Sequence, residues 1–258
     1  MVVLQKSLPF APWMDPKTWR LPGIQPVQGD DWLRVDEAFA GQMAERDARL
    51  ALQRDAVHAL MPEAEEAAAE LLALLLQRLA DVPGYEVTDR AVRRPDGVQV
   101  AINAAAPLET AGRLVQEDLC ILQAQGGEHV LTGAVLCFPA SWTLAEKIGR
   151  PMTGIHAPVA HYTPDMARRV QRLFDAIRPE QALWRMNALV YDDPELFQPR
   201  PEGTARPRPT QRLYLRSERQ CLLRLPRTGA VVFTIHTYLV RLEDLAPEAR
   251  DALEAAGL

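Results

Sequence analysis

The sequence predicts an α+β fold built on a mainly antiparallel sheet, and three observations point to it. Helical periodicity is concentrated early in the chain, between residues 36 and 80. Apolar runs joined by short glycine-containing turns dominate later, at 118–138 and 212–240. Only one helical pattern, at 164–177, separates strands in that later part. The regular strand–helix–strand alternation of a parallel sheet is therefore missing.

Residues 1–35 carry Pro9, Pro12, Trp13, Pro16, Trp19, Pro22, Pro26 and Trp32. So many prolines exclude a continuous helix, and the tryptophans are too apolar for a solvated tail. The expectation is an arm laid across a single domain of residues 36–258. Phe39, Met43, Leu50 and Val57 recur at helical spacing and predict a helix over 36–60, with His58 at the surface near its end. Pro62 suits the first turn of a second helix over 63–80, which Asp81, Pro83 and Gly84 end. Alternation at 98–103 predicts a strand, and 110–117 a helical turn or more with Arg113, Gln116 and Glu117 on its polar face. Gly126 and Gly127, between the apolar runs 118–125 and 130–138, predict a hairpin with His129 exposed beside its turn. Pro139 stops that strand, and Ser141 can cap a short helix through Glu146 and Lys147. Gly149, Pro151 and Gly154 then predict a loop that presents His156 ahead of Pro158. Pro164 can open a helix to residue 177 with Met166, Val170, Leu173 and Phe174 on one face. A strand or turn-plus-strand at 182–191, a proline- and arginine-rich surface loop at 194–209, a second hairpin of 212–225 and 230–240, and a closing helix at 245–258 complete the chain.

A formal net charge of −5 offers no electrostatic footprint for nucleic acid. The arginines between residues 200 and 212 lie in a proline-rich loop and are expected to be solvated. Cys120, Cys137 and Cys221 sit in apolar runs without metal-site spacing, and their odd number argues for buried thiols in a reducing compartment. Residues 1–10 lack the sustained apolar stretch of a signal peptide, and the apolar stretch 67–75 is too short to span a bilayer. The expected location is cytoplasmic, without membrane contact. Neither a glycine-rich phosphate loop nor a G-x-S-x-G turn occurs.

Histidine carries most of the chemical information. His156 follows a buried strand on a proline-stiffened segment, well placed to touch a ligand. On residue types alone, a structural role for it weighs as much as a ligand role. His156 and His161 are poorly spaced to face one ion together, whereas zinc or non-haem iron needs several close ligands. A haem needs one protein ligand and an apolar slot. His236, in the middle of the strongest strand, reads as a hydrogen-bonded sheet histidine. Arg185, Glu218 and Arg219 form a second constellation. Strand charges usually face solvent, but an inward Arg–Glu pair beside a cavity would orient a ligand. Tyr214, four residues before Glu218, falls on the same face of an extended strand. An inward guanidinium could stabilise dioxygen, and a carboxylate could hold a small ammonium substrate.

Four segments carry a resemblance: QEDLCIL at 116–122, LCFPASWTLAEKIGRPMTGIHAPVAHY at 136–162, WRMN at 184–187 and RSERQCLLRLPRTGAVVFTIHTYL at 216–239. Together they resemble the haem-binding subunit of the haem-dependent oxidative N-demethylases, also called dimethylamine monooxygenase. The resemblance implies a PAS-like antiparallel sheet with flanking helices around a haem pocket. It implies a b-type haem whose iron is held by His156, with Phe138, Tyr162 and His236 as further cofactor contacts. Arg185, Glu218 and Arg219 would form the polar distal pocket, with Tyr214 behind them. The implied reaction oxidises a small secondary amine with dioxygen, giving formaldehyde and the demethylated amine. NADPH, FMN and a 2Fe–2S cluster would belong to a separate reductase subunit, and a folate-binding subunit would capture the formaldehyde. The lack of C-x-x-C-H fits a haem that is not covalently attached. Two departures stand out: the resemblance would put arginine where this chain has His236, and the C-terminus is short, so partner contacts made there would be missing. A non-catalytic PAS-type haem sensor is the alternative from another class, and the lack of a fused signalling domain favours the enzyme. A structural domain without cofactor is the third reading.

Overall fold

A computed structural model describes residues 2–158 and 162–258. In the arm, Asp15 caps the turn α1 (Pro16–Trp19) by accepting the Lys17 N–H, and the chain then runs into the two-residue strand β1 (Gln25–Pro26). Helix α2 (Phe39–Leu52) turns Phe39, Met43 and Leu50 inward. It ends at Gln53, and a single turn α3 (Arg54–Val57) leads into strand β2 (His58–Leu60). The one helix expected over 36–60 is thus broken. His58, Ala59 and Leu60 pair with Val135, Ala134 and Gly133, so sheet pairing overrides helix propensity at this edge. His58 opens a strand instead of ending a helix.

Helix α4 (Glu65–Leu79) buries Leu71, Leu72, Leu75 and Leu79 and carries Glu65 and Glu66 in its first turn, where the helix dipole favours acids. A small sheet of β3 (Glu86–Val87), β4 (Ala91–Arg93) and β5 (Gln99–Ala101) follows. Helix α5 (Pro107–Gly112) starts at its proline and lies earlier than expected. Gln116 and Glu117 therefore lie beyond it, and both are buried. Strands β6 (Asp118–Gln125) and β7 (Glu128–Val135) form the expected hairpin. Gly126 and Gly127 hold φ of 59° and 88°, which a tight turn of this kind demands. Strand β7 ends before residue 138 because the Cys137 and Phe138 N–H groups donate to the Asp118 carboxylate at 2.7 and 3.0 Å. His129 is only 1% exposed, contrary to expectation, because Gln171 covers it and hydrogen-bonds both its backbone N–H and its ring.

Thr143, not Ser141, occupies the cap position of α6 (Leu144–Lys147). The expected loop around His156 instead holds a helical turn, α7 (Met152–His156), entered through Pro151. Thr163 caps α8 (Pro164–Ala176), whose axis the cap and Pro164 set. The strand expected at 182–191 divides into β8 (Leu183–Met186) and β9 (Leu189–Tyr191). Strands β10 (Tyr214–Arg224) and β11 (Val231–Arg241) make the long hairpin, and α9 (Pro247–Ala255) closes the chain.

The fold is α+β. Its main sheet runs β1-β8-β10-β11-β6-β7-β2, antiparallel throughout, with β9 also on β10. One face receives α2, α4 and α5 through Met43, Leu71, Leu75, Leu108, Ile121 and Val232. The other face receives α7 and α8 through Leu122, Leu131, Leu222, Ile235, Ile155 and Phe174. Trp13 of the arm packs with Leu215, Val240 and Leu253 at one end, and its indole donates to the Ala249 carbonyl at 2.7 Å. The functional question concerns the second face, where the packing is incomplete.

Candidate functional site

Between that sheet face and α7–α8 lies a cavity of about 540 Å³. This is within the range of roughly 300–1,000 Å³ typical of cofactor and small-ligand sites. Its floor is apolar: Cys120 and Leu122 of β6, Leu222 of β10, and Phe233 and Ile235 of β11. Met166, Val170, Leu173 and Phe174 of α8 form the opposite wall. A third side comes from the loop 200–204, held by Glu202, which forms ion pairs with Lys147 and Arg150 and whose N–H donates to Glu146. Leu21, Pro22 and Ile24 of the arm complete the lining.

His156 ends α7 at the cavity wall. Its Nδ1 lies 3.0 Å from the Met152 carbonyl oxygen four residues back. A carbonyl can only accept, so the Nδ1 carries the proton and the Nε2 keeps its lone pair. No described residue hydrogen-bonds that Nε2. Tyr162 stacks on the ring with centroids 4.4 Å apart and 17° between planes. Burial lowers the His156 pKa, and the cations Lys147 and Arg185 push the same way against the opposing Met152 carbonyl. The ring is therefore neutral at physiological pH, the state a metal requires of it.

Arg185 of β8 and Glu218 and Gln220 of β10 put polar groups into the same cavity. Residues 187 and 188, between β8 and β9, interrupt the pairing with β10, and Asn187 fills the gap. Its side-chain amide donates to Glu218 Oε2 at 3.0 Å and accepts the Glu218 N–H at 2.9 Å. Gln220 also donates to Oε2 at 3.0 Å, while its own Oε1 accepts from Arg185 at 3.2 Å. Burial lowers the Arg185 pKa, opposed by the charge of Glu218.

The other residues singled out from sequence lie elsewhere. Arg219 points to the opposite face, where it donates to the Asp31 carbonyl at 2.6 Å and lies 5.5 Å from the Trp184 ring. Strand alternation separates it from Glu218. His236 is on that same far face, between Glu117 at 3.0 Å and Asp36 at 3.1 Å. Tyr214 packs against the main core, and Phe138 is buried with the Arg46 guanidinium 4.9 Å above its ring. None of these four lines the cavity. His161 lies outside the described residues. The arginine-rich loop is not uniformly solvated: Arg200 lines the cavity, and Arg206 stacks 3.9 Å over Tyr191. Sequence reasoning missed Gln220, although its spacing of two from Glu218 puts both on one strand face. It also missed Lys147, for which the sequence gives no signal.

The model of the family described as haem-dependent oxidative N-demethylase, alpha subunit-like, matches residues 23–256. The chain belongs to this family. The match takes in every element that lines the cavity apart from Leu21 and Pro22 of the arm.

Haem fits the residues present in this family member. Among the described residues no three His, Cys, Asp or Glu side chains converge to cage a metal ion. A metal here would need most of its ligands from a macrocycle, and a single imidazole with a free Nε2 supplies the remaining kind of donor. The floor and the α8 wall are apolar, as a porphyrin face requires. Arg200 at the loop wall, whose Nε has no partner among the described residues, is a cation that would meet one of its carboxylates.

Proposed function

We propose that this chain is the haem-bearing subunit of an oxidative N-demethylase acting on a small secondary amine. The observation that carries the reading is the neutral imidazole of His156, with its Nδ1 committed to Met152, at the wall of a cavity lined by aliphatic and aromatic side chains. His156 would hold the iron, and Tyr162 would fix the ring plane by stacking. Haem, when bound, supplies the redox chemistry that reduces dioxygen and oxidises an N-methyl group.

The chain's own residues bind and orient. Glu218 Oε2 is occupied by Asn187 and Gln220, whereas Oε1 has only a 3.5 Å contact with Arg216. That oxygen is available to a substrate ammonium, and the two amides fix the carboxylate in advance. The α8 side chains exclude water and so strengthen the ion pair. In balance, the amine, dioxygen, two electrons and two protons give the demethylated amine, formaldehyde and water. We assign the electrons to a partner reductase carrying NADPH, FMN and a 2Fe–2S cluster, and formaldehyde capture to a folate-binding subunit. The sheet with helices over its cavity face is read as PAS-like, and the location as cytoplasmic.

Titration with haem tests the reading. The wild-type chain should give a Soret band at one haem per chain, and His156→Ala should lose it or shift it. With a reductase and an amine, the loaded chain should release formaldehyde. Glu218→Gln should weaken amine binding by about 10-fold or more, the loss of one charged hydrogen bond. A chain that takes up haem equally well without His156 refutes the assignment. Haem uptake without formaldehyde from any small amine would leave a sensor.

A further inference from the structure

Arg185 is unused by the reading above, and its environment is unusual. It is half-buried, its Nε is enclosed with no hydrogen-bond partner among the described residues, and no described carboxylate lies within ion-pair distance. Its one side-chain bond among the described residues is to a neutral amide, Gln220 Oε1. The other cation near His156, Lys147, is satisfied by the Ile155 carbonyl and Glu202. A guanidinium drawn partly out of water without a counter-anion is costly, and such a site gains from any ligand that brings one.

The carboxylate of Glu218 faces the same cavity, separated from Arg185 by a single amide. From the guanidinium to the carboxylate the path is one hydrogen bond of 3.2 Å, the width of an amide, and one hydrogen bond of 3.0 Å. An α-amino acid zwitterion has nearly the same design: a carboxylate and an ammonium on either side of one carbon, each making hydrogen bonds of about 2.7–3.2 Å. Dimethylammonium would neutralise Glu218 and leave Arg185 unpaired. A zwitterion answers both charges, and the net charge of the cavity does not change.

Resting on the reading of the site as an amine demethylase, we infer that its substrate class is the N-methyl α-amino acids, with Glu218 receiving the methylammonium and Arg185 the carboxylate. The balance is that of any such demethylation: N-methylglycine, dioxygen, two electrons and two protons give glycine, formaldehyde and water. The C–N bond to the methyl carbon breaks, and the carboxylate is unchanged. Arg185 is a specificity-determining residue in this scheme.

The test is calorimetric binding to the haem-loaded full chain, which requires no turnover. N-methylglycine should bind at least about 10-fold tighter than dimethylamine, and tighter by a similar factor than its own methyl ester, which lacks the anion. That comparison uses only the wild-type protein. Arg185→Gln should reduce the N-methylglycine to dimethylamine preference by about 10-fold or more, and Arg185→Lys should recover part of it. Equal or tighter binding of dimethylamine by the wild type overturns the inference. So does an unchanged preference in Arg185→Gln accompanied by weaker haem retention, which would give Arg185 to a haem carboxylate. Failure of His156 to bind haem is seen in the absorption spectrum before any amine is added, and it sinks the underlying reading together with the inference.

Discussion

Replacement of His236 by glutamine probes the clamp on the sheet face away from the cavity. The imidazole is 1% exposed and bridges Glu117 at 3.0 Å and Asp36 at 3.1 Å. Burial disfavours its charged form, but hydrogen bonds and charges of the two carboxylates prevail and raise its pKa from 6.5 to about 9. At 1.36 kcal/mol per pH unit, that rise corresponds to about 3 kcal/mol of preference for the charged ring. Viewed from Asp36, burial opposes, but His236 and the amides of Gln116 and Gln5 lower the pKa from 3.8 to about 2. This corresponds to about 2 kcal/mol. The two figures describe one interaction and are not summed; the histidine figure is larger because two carboxylates act on it. Because the folded-state pKa of His236 is raised, its contribution is full below pH 6.5, declines above it and is gone once pH passes about 9. The contribution of Asp36 is full above 3.8 and lost as pH falls through about 2. Unfolding free energies of wild type and His236→Gln from urea titration should thus differ by about 2–3 kcal/mol near pH 6 and converge near pH 10. The same difference at both pH values would show that the ring is neutral throughout, and the clamp argument would be wrong.

Other consequences follow from buried charge and close packing. Asp118 is the partner of fully buried Arg46 at 2.9 Å and the acceptor for two backbone N–H groups, so Asp118→Ala should cost about 3–5 kcal/mol in chemical denaturation. Asp118→Asn, which keeps an acceptor, should cost less. Burial lowers the pKa of His129, so its folded state resists protonation: stability is full above pH 6.5 and falls as pH drops below it. His129→Gln should flatten that acid limb below about pH 6.5 in denaturation midpoints. A Cβ at Gly112 would come within 2.6 Å of Val135 Cγ1, so Gly112→Ala should lower stability by about 1–3 kcal/mol. Gly112→Ala with Val135→Ala should recover part of the loss.

Legibility of the sequence varied with the range of the interactions involved. The β6–β7 hairpin was readable because two glycines and flanking apolar runs encode it within a dozen residues. The break in the 36–60 helix was not, because what opens it is pairing of His58–Leu60 with a strand more than seventy residues later. His129 looked exposed since it adjoins a turn; its cover, Gln171, lies 42 residues away on α8. For His156, sequence gave the residue but not the helical turn, whose i−4 carbonyl decides which nitrogen is free. Alternation along β10 already divides Glu218 and Gln220 from Arg219, but only the folded sheet shows which of the two faces holds the cavity and brings Arg185 to it.

Strand β10 links these observations. Four charged side chains would ordinarily mark a strand with one wet face, yet β10 is paired on both edges and covered on both faces. Its charges must therefore be matched separately on each side. On one side Arg216 is answered by the Leu196 and Phe138 carbonyls, and Glu218 by Asn187 and Gln220. On the other, Arg219 meets the Asp31 carbonyl, next to the clamp in which Asp36 and Glu117 hold His236, its cross-strand partner. The far face is thus closed by internal counter-charges. On the cavity face the amides fix Glu218, whose other oxygen has the 3.5 Å contact with Arg216, and Arg185 of the neighbouring strand β8 has no counter-anion among the described residues. The cavity face of the sheet thus keeps one cation, on β8, that an anionic group of a ligand would balance.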